Sequence, residues 1–99
     1  MLRFDAPIQA TERVATEDVD LHGTTLRAGS SVVVLIGSAN RDDDVFPDAH
    51  LFDAGRAPAR HLAFGHGPHH CIGAMLARLE GAVAFERLLS TFGVPSLPS

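Results

Sequence analysis

The sequence predicts an α+β chain in which short strands come first and one long helix comes last. Val19 and Leu21 alternate with acidic residues before the chain returns through Thr24 to Leu26, as in a hairpin. From Ile72 onward, apolar residues recur at the spacing of a helix face. With 99 residues, 45% of them hydrophobic, we expect residues 1–99 to belong to one domain.

Two turns separate the predicted strands. His22-Gly23 is the expected hairpin turn within Ala15 to Leu26, and Ala28-Gly29 is the next one. Ser31 to Ile36 is an apolar, β-branched run, which predicts a strand buried on both faces.

The last helix is predicted from about Ile72 to Thr91, with Gly93 and Pro95 ending it. Its apolar stripe needs a large partner surface. The stripe comprises Ile72, Met75, Leu76, Leu79, Val83, Phe85, Leu88, Leu89 and Phe92.

Composition excludes several classes of function. The net charge of -4 and the pI near 5.8 argue against a nucleic-acid partner, because phosphate binding needs a basic surface. The longest apolar run, Val32 to Ile36, is far short of the roughly 20 residues that span a bilayer, so we expect no membrane partner. A single cysteine is typical of a reducing compartment, which predicts a cytoplasmic protein.

The segment Phe64 to Gly73 contains the only cysteine and three of the six histidines. Cys71 has no internal disulfide partner, so it is a buried hydrophobe, a nucleophile or a metal ligand. Gly65 and Gly67 allow a sharp turn and a close backbone approach to a flat partner, and Pro68 stiffens the loop. At the predicted helix start, unpaired N–H groups favour a thiolate, which binds metals.

A zinc or other transition-metal site is the alternative for this region. Histidines crowd around Cys71, but adjacent residues point in different directions and no second cysteine pair completes a tetrahedral site. The histidines in question are His61, His66, His69 and His70.

The pattern F-x-x-G-x-x-x-C-x-G, filled by Phe64, Gly67, Cys71 and Gly73, resembles the haem-ligand signature of the cytochrome P-450 family. The resemblance runs from Met1 to about Leu97. It implies that residues 1–99 are the C-terminal part of a single, mainly-α cytochrome P-450 domain of the soluble bacterial type. The parts would be a small hairpin and strand, the irregular segment called the meander, the cysteine loop and the long C-terminal helix.

The resemblance also implies a function, that of a haem-thiolate monooxygenase. Cys71 would be catalytic, as the proximal thiolate ligand of the iron in haem b (iron protoporphyrin IX), with Phe64, Gly65 and Gly73 lining the cofactor. N–H groups after Cys71 would hydrogen-bond its sulfur. The implied partners are a small organic substrate, dioxygen, and a ferredoxin-type or flavin-containing electron donor.

Other site residues follow from the same resemblance. Arg13, His61 and His69 would bind the haem propionates, since arginine and histidine donate well to carboxylates. His66 and His70 are expected to be packing or surface residues.

Four residues before Arg13 are candidates to face the substrate, and two arginines would belong to a structural network. The substrate candidates are Ile8, Gln9, Ala10 and Thr11. Arg3 matches the arginine of the family's E-x-x-R motif, whose glutamate would precede Met1, and Arg56 matches the meander arginine. Because the family's distal helices would also lie upstream, the alternative is a truncated, non-catalytic haem- or metal-binding fragment.

Overall fold

A computed structural model of the chain describes residues 1–95, so the end of the resemblance near Leu97 lies outside the described residues. The chain divides into two compact units, one covering Met1–Ala63 and the other starting at Phe64. Among the described residues, no helix is both long and apolar enough to cross a membrane.

All strands of the described chain belong to the first unit and form two antiparallel pairs. In chain order they are β1 Thr11–Val14, β2 Val19–Leu21, β3 Thr24–Leu26 and β4 Ser31–Val34.

The predicted hairpin is confirmed as the pair β2 and β3, with Val19 opposite Leu26. His22 and Gly23 form its two-residue turn with φ of 50° and 79°. Positive φ at both turn residues matches the right-handed twist of the flanking strands, and glycine adopts it without strain. The Asp20 carboxylate also accepts the Gly23 N–H at 3.0 Å, which closes the turn.

The strand predicted at Ser31 is present, but it is shorter and more exposed than expected. It is β4, which pairs with β1 and ends at Val34, because Ile36–Ala39 forms the short helix α1. Val33 is 60% exposed. The predicted burial on both faces is therefore wrong for the described chain, since a two-stranded sheet offers no layer to cover its second face.

The core of the first unit lies where the N-terminal turn meets α1 and the irregular segment after it. Arg3 donates from Nη1 to the Asn40 carbonyl at 2.7 Å, and its guanidinium lies 5.0 Å from the centre of the Phe46 ring. Arg41 lies 4.0 Å above the Phe4 ring and donates to the Phe4 carbonyl at 2.8 Å. The buried residues here are Ala6, Ile36, Asn40, Phe46 and Ala49.

In the second unit, a short 3-10 turn over Gly67–His69 precedes the helix α2, Ala74–Phe92. The helix begins two residues later than predicted, with Gly73 at its N-cap. Its end agrees with the prediction within one residue, and Gly93, with φ of 74°, donates to the Leu89 carbonyl at 2.9 Å.

The apolar stripe of α2 is exposed over its full length. Met75 is 83% exposed at one end and Phe92 is 79% exposed at the other. Between them, Leu76, Leu79, Val83, Phe85, Leu88 and Leu89 are exposed as well. Ala74 is the buried residue of this helix.

Candidate functional site

The loop before α2 is closed on itself by backbone hydrogen bonds. The Cys71 N–H donates to the Phe64 carbonyl at 2.8 Å, and the His70 N–H donates to the Gly67 carbonyl at 3.0 Å. Gly65 and Gly67 have φ of 73° and 71°, a region that side chains with a Cβ rarely adopt. The glycines therefore allow the bend that brings Cys71 back beside Phe64.

Cys71 lies at the end of this loop as an exposed, free thiol. Because α2 begins at Ala74, the expectation that Cys71 adjoins the helix start is wrong by two residues, and the dipole acts on the sulfur from further away. The Ala74 N–H donates to the Cys71 carbonyl at 3.2 Å. The N–H bond to sulfur that the resemblance implies has no counterpart among the hydrogen bonds of residues 1–95.

Phe64 is held through its ring as well as through its carbonyl. The Arg78 guanidinium lies 4.7 Å from the ring centre, and the His70 ring meets it edge-on with centroids 6.4 Å apart. A cation over an aromatic face is worth about 0.5–1 kcal/mol at an exposed site. Arg78 was not among the site residues predicted from the sequence; it lies about one turn into α2.

The remaining residues predicted in the second unit surround the same loop. His69 ends the 3-10 turn and is exposed, and Gly73 is the N-cap of α2. A Cβ built on Gly73 would lie 3.9 Å from the Cys71 sulfur, which is an ordinary contact. The structure therefore brings together, in one unit, Phe64, Gly65, His69, Cys71 and Gly73.

His70 has a structural contact of its own and His66 is exposed. The His70 Nδ1 lies 3.3 Å from the Gly65 carbonyl oxygen. His66 precedes the 3-10 turn in extended conformation. Both observations match the expectation that these two histidines are packing or surface residues.

Arg13 and His61 belong to the first unit. Arg13 is exposed on β1 and donates from Nη1 to the Thr11 hydroxyl at 2.8 Å and to the Glu12 carbonyl at 2.7 Å. His61 is half-buried, and its Nδ1 accepts the Ala63 N–H at 3.2 Å. A neutral imidazole that accepts at Nδ1 has its hydrogen on Nε2, so His61 has the tautomer that donates from Nε2.

The candidate substrate-facing residues lie between the N-terminal turn and β1. Ile8, Gln9 and Ala10 are exposed and Thr11 is half-buried. Gln9 has two partners: its side-chain Nε2 donates to the Ala6 carbonyl at 2.5 Å, and its backbone carbonyl accepts the Gly37 N–H at 2.9 Å. A Cβ on Gly37 would collide with the Gln9 carboxamide, which is the end of a flexible side chain and would have to move away.

Arg3 and Arg56 both bind backbone carbonyls. Arg3 is half-buried and lies near the carbonyls of Asn40 and Ala49. Arg56 donates from Nη1 to the Pro47 carbonyl at 2.6 Å and from Nη2 to the Asp48 carbonyl at 3.0 Å. Its Nε is buried without a hydrogen-bond partner in the described part of the chain.

The side chains around Cys71 indicate which kind of metal centre this cysteine could bind. Within residues 1–95, no three His, Cys, Asp or Glu side chains gather as metal ligands. A structural zinc site needs four protein ligands, whereas a haem iron has four porphyrin nitrogens and takes a single thiolate from the protein. One exposed thiol on a glycine-rich loop therefore suits haem.

Comparison with known proteins gives the same family over the whole chain. The family model described as Cytochrome P450 matches residues 1–99. The chain is 49% identical over 96 residues to the biotin biosynthesis cytochrome P450 of Bacillus subtilis. The matched region covers 97% of this chain and 24% of that protein. It is 52% identical over 90 residues to the cytochrome P450 monooxygenase PikC of Streptomyces venezuelae, covering 90% of this chain and 22% of that protein.

The fold agrees with these sequence relationships. The ligand-free P450 monooxygenase TamI superposes with a TM-score of 0.92 at 44% identity, covering 99% of this chain and 24% of the TamI chain. The chain thus spans about a quarter of the length of the curated relatives it matches. Its fold over the matched region is that of a cytochrome P450. This chain belongs to the cytochrome P450 family.

Proposed function

We propose that residues 1–99 are the C-terminal, haem-binding part of a monooxygenase that inserts one atom of dioxygen into a small organic substrate. The observation that carries the proposal is the closed loop from Phe64 to Cys71, which presents one exposed thiol. Within residues 1–95, no group of three metal-ligating side chains offers another site. Relatives named as monooxygenases and hydroxylases support the reaction class. The electrons would come from a ferredoxin-type or flavin-containing partner.

Cys71 is the proposed iron ligand and catalytic thiolate. The hydrogen bond between its N–H and the Phe64 carbonyl fixes the backbone from which the thiol projects. Haem b, when bound through a thiolate, supplies the iron that activates dioxygen. Phe64, Gly65 and Gly73 would line the cofactor, and a reducing cytoplasm would keep the lone thiol available for the metal.

Arg13, His61 and His69 are the proposed donors to the haem propionates. His61 presents Nε2–H as its donor, because Nδ1 accepts the Ala63 N–H. Arg13 and His69 are exposed, so neither pays a burial cost before binding a carboxylate. Arginine adds a fixed positive charge and a bidentate fork.

The substrate would lie beside the segment that leads into β1. Ile8, Gln9, Ala10 and Thr11 are the proposed contacts, and three of the four are exposed. Gln9 has less freedom than its neighbours, because its carboxamide is already bound by the Ala6 carbonyl.

A second candidate function is a truncated fragment that binds haem or metal without catalysis. The observation that favours it is the exposure of the apolar stripe of α2. Turnover with supplied electrons separates the two candidates.

The decisive experiment tests Cys71 in the complete protein that contains these residues. The reduced, carbon-monoxide-bound protein should show the red-shifted Soret band that thiolate ligation gives. Cys71→His should shift this band to the position typical of histidine ligation, because imidazole donates less electron density than a thiolate.

The matched control is His66→Ala, a change in the same exposed loop that should leave the thiolate band in place. A thiolate band that survives Cys71→His would exclude Cys71 as the ligand and overturn the proposal.

A further inference from the structure

Asn40, the residue after α1, is the largest fully buried side chain of the described chain, with 0% of its surface exposed. Its Oδ1 accepts the Leu62 N–H at 2.7 Å, and its backbone carbonyl accepts Arg3 Nη1 at 2.7 Å. Its Nδ2 is buried with no hydrogen-bond partner among the described residues. Since an N–H donates only to an acceptor, the Leu62 bond determines which end of the carboxamide faces residue 62.

Leu62 follows His61 directly, so this bond acts next to a proposed propionate donor. The next N–H along the chain, that of Ala63, donates to His61 Nδ1. Two consecutive backbone N–H groups are thus occupied. The Leu62 N–H is held by Asn40, which fixes the backbone, and the Ala63 N–H donates to the His61 ring and orients it. Displacement of residue 62 would move both the backbone and the ring of His61.

We infer that Asn40 is a positioning residue for His61, holding the imidazole where its Nε2–H meets a haem propionate. The inference rests on the proposed function. Asn40 touches no reacting group; it acts through a single hydrogen bond that joins residues 22 positions apart. A buried polar side chain is costly unless it is hydrogen-bonded, and the side-chain bond that Asn40 makes is the one that fixes the backbone at Leu62.

Asparagine suits this task because it supplies an uncharged acceptor of the required length. Asn40→Leu keeps the branching of the side chain but removes the acceptor, leaving the Leu62 N–H without its partner. Asn40→Asp preserves an acceptor oxygen at the same place. If the bond to Leu62 is what matters, the two variants should behave differently although both alter Nδ2.

The experiment is a double-mutant cycle in the complete, haem-loaded protein, read as the rate of haem transfer to excess apomyoglobin. Asn40→Leu should raise that rate on the order of tenfold, and Asn40→Asp by clearly less. In a His61→Phe background, the effect of Asn40→Leu should fall below about twofold, because the positioned group is gone. In a His69→Ala background, it should stay on the order of tenfold.

A second readout does not involve the cofactor. In the haem-free protein, amide hydrogen exchange at residue 62 should accelerate in Asn40→Leu and remain slow in Asn40→Asp. Should Asn40→Leu fail to fold, Asn40→Ser, whose acceptor is shorter by one atom, replaces it in the cycle.

The outcomes separate this inference from the proposed function. If Asn40→Leu raises the rate of haem loss by the same factor with His61 and with Phe at position 61, Asn40 has a general structural role and the inference is overturned. Unchanged exchange at residue 62 also overturns it. A complete protein that takes up no haem before any substitution instead overturns the proposed function.

Discussion

Three side chains with different geometry would share the binding of two propionates. His61 has its donor set by the Ala63 N–H, whereas the Arg13 guanidinium is bound to the Thr11 hydroxyl of its own strand. His69 is exposed at the end of the 3-10 turn. At the residue scale, the ring of His61 is therefore oriented in advance, whereas Arg13 has Nη1 engaged by local acceptors and would offer its other N–H donors to a propionate.

We predict that replacing Arg13, His61 or His69 with Ala in the complete protein accelerates haem loss. Each hydrogen bond to a charged carboxylate contributes about 1.5–3 kcal/mol, or roughly a tenfold to hundredfold change in rate. The bound fraction should keep its thiolate Soret band, because Cys71 is unchanged. The measurement is the rate of haem transfer together with the reduced carbon-monoxide spectrum.

His70→Ala provides the control for that series, since the His70 ring contacts Gly65 and Phe64 within the loop. It should alter haem retention less than the three proposed donors. Unchanged haem retention in all three donor variants would show that the propionates are bound by other residues.

At the scale of elements, the base of the β2–β3 hairpin depends on one carboxylate. Asp18 accepts the Ala28 N–H at 2.8 Å and pairs with the Arg27 guanidinium at 2.6 Å. The Ala28 hydrogen bond, with Arg27 second, holds the pKa of Asp18 below its ordinary value of 3.8. Because the pKa of Asp18 is lower in the folded state, its carboxylate stabilises the fold at pH values above the unfolded-state pKa. This contribution is lost as the pH falls through the folded-state pKa.

We predict that Arg27→Gln leaves the pKa of Asp18 still below its ordinary value, because the larger cause is the backbone hydrogen bond. Arg27 and Asp18 are exposed, and solvent weakens an exposed ion pair. The measurement is an NMR titration of carboxyl-labelled aspartates, with Asp18→Asn used to assign the signal. A return of the pKa to its ordinary value in Arg27→Gln would make the ion pair the main cause.

The two ends of helix α2 were predicted from the sequence with unequal accuracy. Its length follows from helical periodicity and from Gly93 at its end, and these two signals predict its C-terminus within one residue. Its start was predicted too early, because Ile72 fits the apolar period of the helix. In the structure, residues 72 and 73 form the turn between Cys71 and the helix.

At the scale of the whole molecule, we predict that residues 1–99 alone do not form a stable, active haem pocket. The stripe of α2 exposes large apolar side chains, and exposed apolar area of that size promotes aggregation. Heating the isolated chain should give a broad, non-cooperative loss of helix signal. With added haem and an artificial electron supply, it should give no coupled product. A sharp two-state transition together with coupled product formation would show an autonomous small enzyme.

Leu79→Glu, a change in the middle of the stripe, tests the same idea in both contexts. Leu79 is 61% exposed here, so the change should increase the solubility of the isolated chain. In the complete protein, we expect upstream helices to cover this face, and the same change should lower the free energy of unfolding by about 2–5 kcal/mol or more. Equal stability of the two complete proteins would show that the stripe is not covered.

Some residues of the candidate site could be predicted from the sequence and others could not. The cysteine loop was identified from four residues that lie within ten positions of one another, so local spacing was enough. Asn40 was missed, because its bond to Leu62 joins residues 22 positions apart and nothing near Asn40 in the chain marks it. Arg3 was matched to the E-x-x-R motif, but the carbonyl that it binds lies 37 positions away and could not be predicted from local spacing.

The sequence by itself determined the local elements: the His22-Gly23 hairpin, the end of α2 and the glycine-rich loop that presents Cys71. Each depends on φ preferences or on apolar periodicity within a few residues, which a linear pattern records. Tertiary structure alone decided that β4 is exposed, that Arg3 and Arg56 bind carbonyls, and that Asn40 is buried against Leu62. Burial and distant hydrogen bonds depend on which segments meet in space, and short-range spacing does not encode that.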